Sequence, residues 1–138
     1  MNILKVLTEK RIKGNAGENA VCKYLRKRHY KILERNFVAH GHEIDIIARF
    51  KNTICFVEVK SRSIDAKNQY DTRPRDAVDL EKKRSIITAA KAYTVTCDKK
   101  YRFRLDVAEV FLGDKNTILN VNYMENAFTL DDLRKNRF

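Results

Sequence analysis

Cysteine is scarce in this chain, with only Cys22, Cys55 and Cys97. They are far apart and odd in number, which excludes a disulfide framework and matches no zinc-ligand spacing. Each lies in an apolar context and reads as a small buried hydrophobe, in keeping with a reducing cytosol. Long apolar runs are missing too, so no membrane-spanning helix is expected. The apolar run at Met1–Leu7 is too short for a secretory leader and has no small-residue cleavage site. There is no internal repeat and no low-complexity segment. Acid is also in deficit, with 18 Asp and Glu against 29 Lys and Arg, a net charge of +11. Enough apolar residues accompany that charge for a globular chain rather than a disordered one. A basic excess of this size points to a polyanionic partner, nucleic acid first. The competing reading is a protein with many solvated lysines. At 138 residues the chain makes one domain, 1–138. Its core is expected over about 11–123, with a charged tail over 124–138.

The most informative residues are Ile44-Asp45-Ile46-Ile47 and Phe56-Val57-Glu58-Val59-Lys60. Residues 44–50 and 53–59 are rich in Ile, Val, Phe and Thr, as strands are. Lys51-Asn52 between them is short enough for a tight hairpin. Pairing Phe50 with Thr53 then sets Asp45 opposite Glu58 and Glu43 opposite Lys60. Opposed residues lie about 4.5–5.5 Å apart at Cβ, where two carboxylates repel each other. Burying carboxylates among β-branched residues is costly unless something compensates them. A divalent cation, Mg²⁺ or Mn²⁺, would compensate both and give the pair a purpose. Glu58 and Lys60 share a strand face, so two acids and an ammonium converge.

Around this hairpin, 14–28 reads as a helix, with Val21, Tyr24, Leu25 and Arg28 at helical spacing. Glu18 sits on or beside its inward face. A plain reading of Glu18 is a favourable acid near the positive end of the helix dipole. Residues 30–40 predict a first strand and 62–73 a polar, mobile loop. The single proline, Pro74, suits the first turn of a second helix running to about Thr96. Residues 101–112 predict another strand and 117–123 one more. The hairpin is apolar on both faces, with Ile47, Ile54 and Phe56 on one and Ile44, Ile46, Val57 and Val59 on the other. Such a sheet needs cover on both sides, which the two helices can supply. The fold class is α/β, a central mixed sheet flanked by helices in the order α-β-β-β-α-β, with a possible final strand. His40 and His42 read as ordinary strand histidines. Glu43 reads as the partner of Lys60 or as a surface ion pair. Lys99-Lys100-Tyr101-Arg102-Phe103-Arg104 interleaves basic and aromatic residues. It suits phosphate contacts with base stacking, or equally a strand with its aromatics in the core.

An Asp, a gap and then Glu-x-Lys on adjacent strands resembles the core of the restriction-endonuclease-like nuclease superfamily. More closely, the chain resembles the small YraN-type proteins of the UPF0102 family. Gly14, Gly17 and Glu18 match that family's Gly-x-x-Gly-Glu helix start. Tyr30, Ile32, Leu33, Arg35 and Asn36 match its Tyr-x-Ile-Leu-x-Arg-Asn. Glu43-Ile44-Asp45 and Phe56-Val57-Glu58-Val59-Lys60-x-Arg62 match its two acid-bearing strands. Pro74, Asp76, Ala77, Val78 and Lys82 match Pro-x-Glu-Ala-Val-x-x-x-Lys, with Asp76 in place of Glu. Arg104-Leu105-Asp106-Val107 matches a late Arg-Phe-Asp-Val. The resemblance covers roughly residues 11–112. His42 stands where the family usually has Gly, which could alter the bend before the acid-bearing strand. The segment before Pro74 has Tyr70-Asp71-Thr72 in place of the usual Phe-Gly.

The resemblance implies a restriction-endonuclease-like fold close to that of archaeal Holliday-junction resolvases. It implies a metal-dependent endonuclease acting on nucleic acid, DNA first and branched DNA among its forms. The alternative it leaves open is a binding module of the same fold without turnover. Asp45, Glu58 and Glu18 would hold Mg²⁺ or Mn²⁺. Lys60 would stand near the attacking water or the charge developing on the phosphate. Arg62, Arg73, Lys82, Lys99, Lys100 and Arg102 are the candidate phosphate contacts. No membrane contact is expected, and the sequence does not specify an oligomeric state.

Overall fold

A computed structural model describes residues 3–63 and 80–128. Helix α1 spans Ile3–Lys27. Three antiparallel strands follow, β1 Lys31–Ala39, β2 His42–Phe50 and β3 Thr53–Ser63. Helix α2 is described over Leu80–Thr94. Strand β4, Arg102–Leu112, lies parallel to β3. A short 3₁₀ turn at Asp114–Asn116 leads into antiparallel β5, Ile118–Phe128. The sheet is mixed, in the order β1-β2-β3-β4-β5. The parallel β3–β4 step needs a long crossover, and α2 lies within it.

The two turns of the β1–β2–β3 meander are two residues long. His40 and Gly41 have φ of 53° and 76° between paired Ala39 and His42. Positive φ at both central residues is the turn whose twist matches a hairpin. His40 therefore belongs to the turn, not to a strand. Lys51, with φ of 52°, opens the second turn, and Phe50 pairs with Thr53 as expected.

Each sheet face carries its own core. Beneath α2 lie Ile44, Ile47, Ile54, Phe56, Ile86, Ile87, Ala89, Ala90, Leu105, Val107 and Phe128. Beneath α1 lie Val21, Cys22, Leu25, Ile46, Ala48, Cys55, Val57, Ala108, Val110 and Leu112. Ile44 was expected on the face of Ile46, yet it packs beneath α2 while Ile46 packs beneath α1. Strict alternation would keep residues two apart together, so the alternation breaks at Asp45. The β2–β3 ladder also ends there, its last pair being Ile46 and Val57.

Other boundaries shift for physical reasons. Helix α1 begins eleven residues before the expected start at Gly14 and runs through Gly14 and Gly17. Glycine costs a helix about 1 kcal/mol but does not stop one. At Gly17 the close approach is the reason for glycine: a Cβ there would collide with Ser61 Oγ of β3. Strand β3 continues through Arg62 and Ser63, which were expected to open a loop, because β4 pairs with them through Phe111 and Leu112. Strand β5 reaches Phe128, so 124–128 belong to the sheet and not to a tail. The rest of the expected loop, Pro74 with the start of its helix, and residues 129–138 lie outside the described residues.

A polar knot fastens β5 to β4. The Asp106 carboxylate is fully buried. It accepts from Arg104 Nε at 2.9 Å, Arg104 Nη2 at 3.0 Å, Tyr123 Oη at 2.5 Å and the Asn126 N–H at 2.8 Å. Arg104 also donates to Tyr30 Oη at 2.8 Å, and Tyr30 stacks on Phe50. The late Arg-Leu-Asp-Val is thus a structural element, a buried charge paired and fully hydrogen-bonded.

Candidate metal and phosphate site

The site forms where β2 and β3 part. Beyond Ile46–Val57 the strands no longer pair, and Asp45 takes over the bond a backbone carbonyl would have made. Its Oδ2 accepts the N–H of Val59 at 2.8 Å. Glu58 lies close enough for its charge to raise the Asp45 carboxyl. The sequence-derived juxtaposition of Asp45 and Glu58 therefore holds. The expected pairing of Glu43 with Lys60 does not, because the ladder that would have opposed them has ended.

Glu43 instead joins Glu18 and Asp45. One carboxylate oxygen from each lies within 4.8 Å of the others. Helix α1 delivers Glu18, and the glycine before it lets the helix approach β3 closely enough to do so. The break in alternation lets Asp45 serve both groups, facing Glu18 and Glu43 as well as Glu58.

Four carboxylates meet few cations. Arg35 Nη2 is 3.3 Å from Glu18 Oε2, and Arg35 also donates to Asn19 Oδ1 at 2.8 Å. Asn36, with φ of 54°, turns its side chain to the same group. With its amide nitrogen facing the acids, it donates to Glu18 Oε1 at 3.1 Å and Glu43 Oε1 at 2.8 Å. Lys60 Nζ lies 3.7 Å and Lys82 Nζ 3.5 Å from the same oxygen, Glu58 Oε1. Glu58 Oε2 is buried and has no hydrogen-bond partner among the described residues.

The electrostatics record this strain. Asp45 is pushed up from the ordinary 3.8 to about 7 by burial and then by the Glu58 charge, against the Val59 N–H, which lowers it. Burial and then the Asp45 charge raise Glu18 as well, against Arg35 and Asn36. A buried carboxylate oxygen without a donor, beside carboxyls that resist ionising, is what a hard divalent cation would satisfy. Mg²⁺ takes oxygen ligands, commonly one or two carboxylates with water and phosphate oxygens. The donor set fits it.

The remaining sequence candidates fall elsewhere. Arg62 Nε pairs with Glu109 Oε2 at 2.7 Å. Arg73 lies outside the described residues. Lys99, Lys100 and Arg102 are exposed before and at the start of β4. Arg102 pairs with Thr53, five residues along β3 from Glu58 and hence roughly 16 Å away. Tyr101 and Phe103 serve the core edge: Tyr101 packs against the α2-side cluster and Phe103 stacks on Phe56. Cys22 and Cys55 are buried, as expected, and Cys97 is half-buried. Burial and then Asp106 push the Cys55 thiol up to about 12, which makes it a poor nucleophile. His42, in the position usually Gly, does not make the bend, since His40 and Gly41 do that. Its Nδ1 bonds Ser85 Oγ at 2.7 Å and ties β2 to α2.

Sequence reasoning set Glu43 beside Lys60 rather than among the carboxylates, did not assign Arg35, Asn36 or Ser85 to this neighbourhood, and took Lys82 for a phosphate contact alone. The signal for Arg35 and Asn36 was their place in a motif with no evident role in a strand.

A family model described as an uncharacterised protein family, UPF0102, matches residues 17–110. A UPF0102 protein of Caldanaerobacter subterraneus subsp. tengcongensis is 41% identical over 121 residues, covering 86% of this chain and 96% of that protein. One from Caldicellulosiruptor saccharolyticus is 40% identical over 120 residues, covering 86% and 98%. One from Clostridium acetobutylicum is 42% identical over 118 residues, covering 85% and 93%. The matched span contains every carboxylate and cation of the site between β2 and β3, and the chain belongs to the UPF0102 family.

Proposed function

We propose that this protein is a divalent-metal-dependent endonuclease acting on nucleic acid, DNA first, with branched DNA among its substrates. The observation that carries the reading is Glu58. One oxygen is buried without a donor beside the raised carboxyl of Asp45, while the other oxygen draws two ammonium groups. Asp45, Glu58 and Glu18, with Glu43, are the ligands for Mg²⁺ or Mn²⁺. Bound there, the cation supplies Lewis acidity at a phosphate oxygen.

The chain's own residues do the rest. The Val59 N–H fixes the Asp45 carboxylate and so its free oxygen. Glu58 Oε1 holds Lys60 at the rim, where its side chain stays one-third exposed. From there the ammonium can meet charge that builds on the phosphate as water adds to phosphorus and the ester oxygen leaves. Such a donor is worth more to the transition state than to the ground state.

The test is a cleavage screen of branched, flapped and single-stranded DNA, with matched RNA, in Mg²⁺ and in Mn²⁺. Cleavage by the wild type is expected, with at least a 10³-fold loss in Asp45→Asn. Mn²⁺-induced paramagnetic broadening near β2 should vanish in the same variant. If the wild type binds branched DNA tightly and cleaves nothing, the protein is a binding module instead.

A further inference from the structure

A cleft of about 440 Å³ opens between β2 and α2, lined by His42, Glu81, Lys82, Arg84, Ser85 and Thr88. It shares Lys82 with the carboxylate site, since that ammonium lies 3.5 Å from Glu58. We infer that this cleft is a subsite for a backbone phosphate next to the scissile one, built from Lys82, Arg84 and the His42–Ser85 pair.

The donor count supports an oxyanion. A neutral imidazole carries one N–H and a serine one O–H. The 2.7 Å contact between His42 Nδ1 and Ser85 Oγ uses one of those two protons. Whichever tautomer holds, one proton remains for an acceptor outside the pair. Thr88 adds no donor, because its hydroxyl already bonds Arg84 O at 2.9 Å. Lys82 and Arg84 supply two positive charges against one acid, Glu81, on the lining. Guanidinium and ammonium groups lining one cleft with a neutral donor form a phosphate-binding chemistry. A nucleic-acid strand presents phosphates at regular intervals. A strand placed with one phosphate at Asp45 and Glu58 brings a neighbour toward the groups that share Lys82. The identity of the occupant rests on the nuclease reading, whereas the phosphate chemistry stands on the cleft.

The experiment is an amide NMR titration in EDTA, with inorganic phosphate and with the phosphorylated dinucleotide d(pTpT). Shifts centred on His42, Lys82, Ser85 and Thr88 are expected. Both ligands should bind at least fivefold more weakly to the double variant Arg84→Gln/Ser85→Ala. Arg84 is exposed and Ser85 half-buried, so the fold should survive, which the amide spectrum reports directly. In Mg²⁺ the double variant should raise KM about fivefold and leave kcat within twofold. Absent shifts, shifts spread over the lysine-rich surface, or undiminished binding to the variant overturn the subsite. A fall in kcat at unchanged KM does so too. Localised shifts in a wild type that cleaves nothing refute the nuclease reading and uphold the subsite. Asp45-dependent cleavage without localised shifts does the reverse.

Discussion

Asp45 is one residue with three partners on two elements, Glu18 on α1, and Glu58 and the Val59 N–H on β3. Its cost without metal is measurable as a pH effect. In the folded chain its pKa is about 7 and its ordinary value is 3.8. The native state therefore keeps a proton that the unfolded state has lost, and stability falls as pH rises through that window. In EDTA, the unfolding free energy of the wild type from urea denaturation should drop between about pH 4 and 7, by at most about 4 kcal/mol. In Asp45→Asn this fall should shrink to what the buried Glu18 contributes, and the variant should be the more stable protein at pH 8. Equal pH dependence in both proteins would remove the buried-charge account. Lys60 predicts the opposite kind of change. Lys60→Met keeps most of the stem, and Glu58 keeps Lys82, so the fold should change little. Cleavage should fall about 10²–10³-fold, the usual effect of losing a transition-state donor. Unchanged cleavage would make Lys60 structural. The pair Asp45 and Glu58 was legible because strand register follows from a two-residue turn. The place of Glu43 in the carboxylate group was not, because Glu18 on α1 and Asn36 on β1 reach it from other elements and no local pattern links them.

At the scale of elements, the strand starts were read to within about two residues, since period-two apolar patterns fix them, while the ends of β3 and β5 were set too early. The failures share one cause, that tertiary contact decides where an element stops. Strand β3 runs on because β4 pairs with it, and α1 runs on through two glycines. Gly17 tests this directly. Alanine gains about 1 kcal/mol over glycine in a helix interior, but its Cβ would strike Ser61 Oγ. Gly17→Ala alone should be neutral or destabilising and should weaken metal binding by lifting Glu18 away. In a Ser61→Ala background the obstruction is gone, and the other neighbours, Ser61 Cβ and Val59 Cγ1 at 3.5 Å, are ordinary contacts. There Gly17→Ala should stabilise by about 0.5–1 kcal/mol. Denaturation of the four proteins gives the coupling energy. A coupling near zero would mean that Ser61 simply rotates aside and that Gly17 has another purpose.

For the molecule as a whole, the net charge of +11 is not spread evenly over its tasks. Arg35, Arg62 and Arg104 are engaged with Glu18, Glu109 and Asp106, so they add little to attraction at a distance. The exposed Lys99, Lys100 and Arg102 stand away from the carboxylates along the sheet. On the proposed function, nucleic acid that crosses the sheet would be held by these residues and cleaved at the carboxylate site. Each phosphate neutralised releases counterions and steepens the fall of affinity with salt by about 0.9 of a log unit per log unit. The triple variant Lys99→Gln/Lys100→Gln/Arg102→Gln should therefore bind DNA more weakly at low salt. Its salt slope should be shallower than wild type by up to about three units. Its cleavage rate at saturating DNA should stay within twofold, because at roughly 16 Å it cannot touch the reacting phosphate. Lys60→Met should behave in the reverse way, losing rate and at most about one unit of slope. Filter binding from low to moderate salt, with single-turnover cleavage on the same proteins, separates the two. A wild type whose log affinity does not change with log salt would show that the positive charge serves no polyanion.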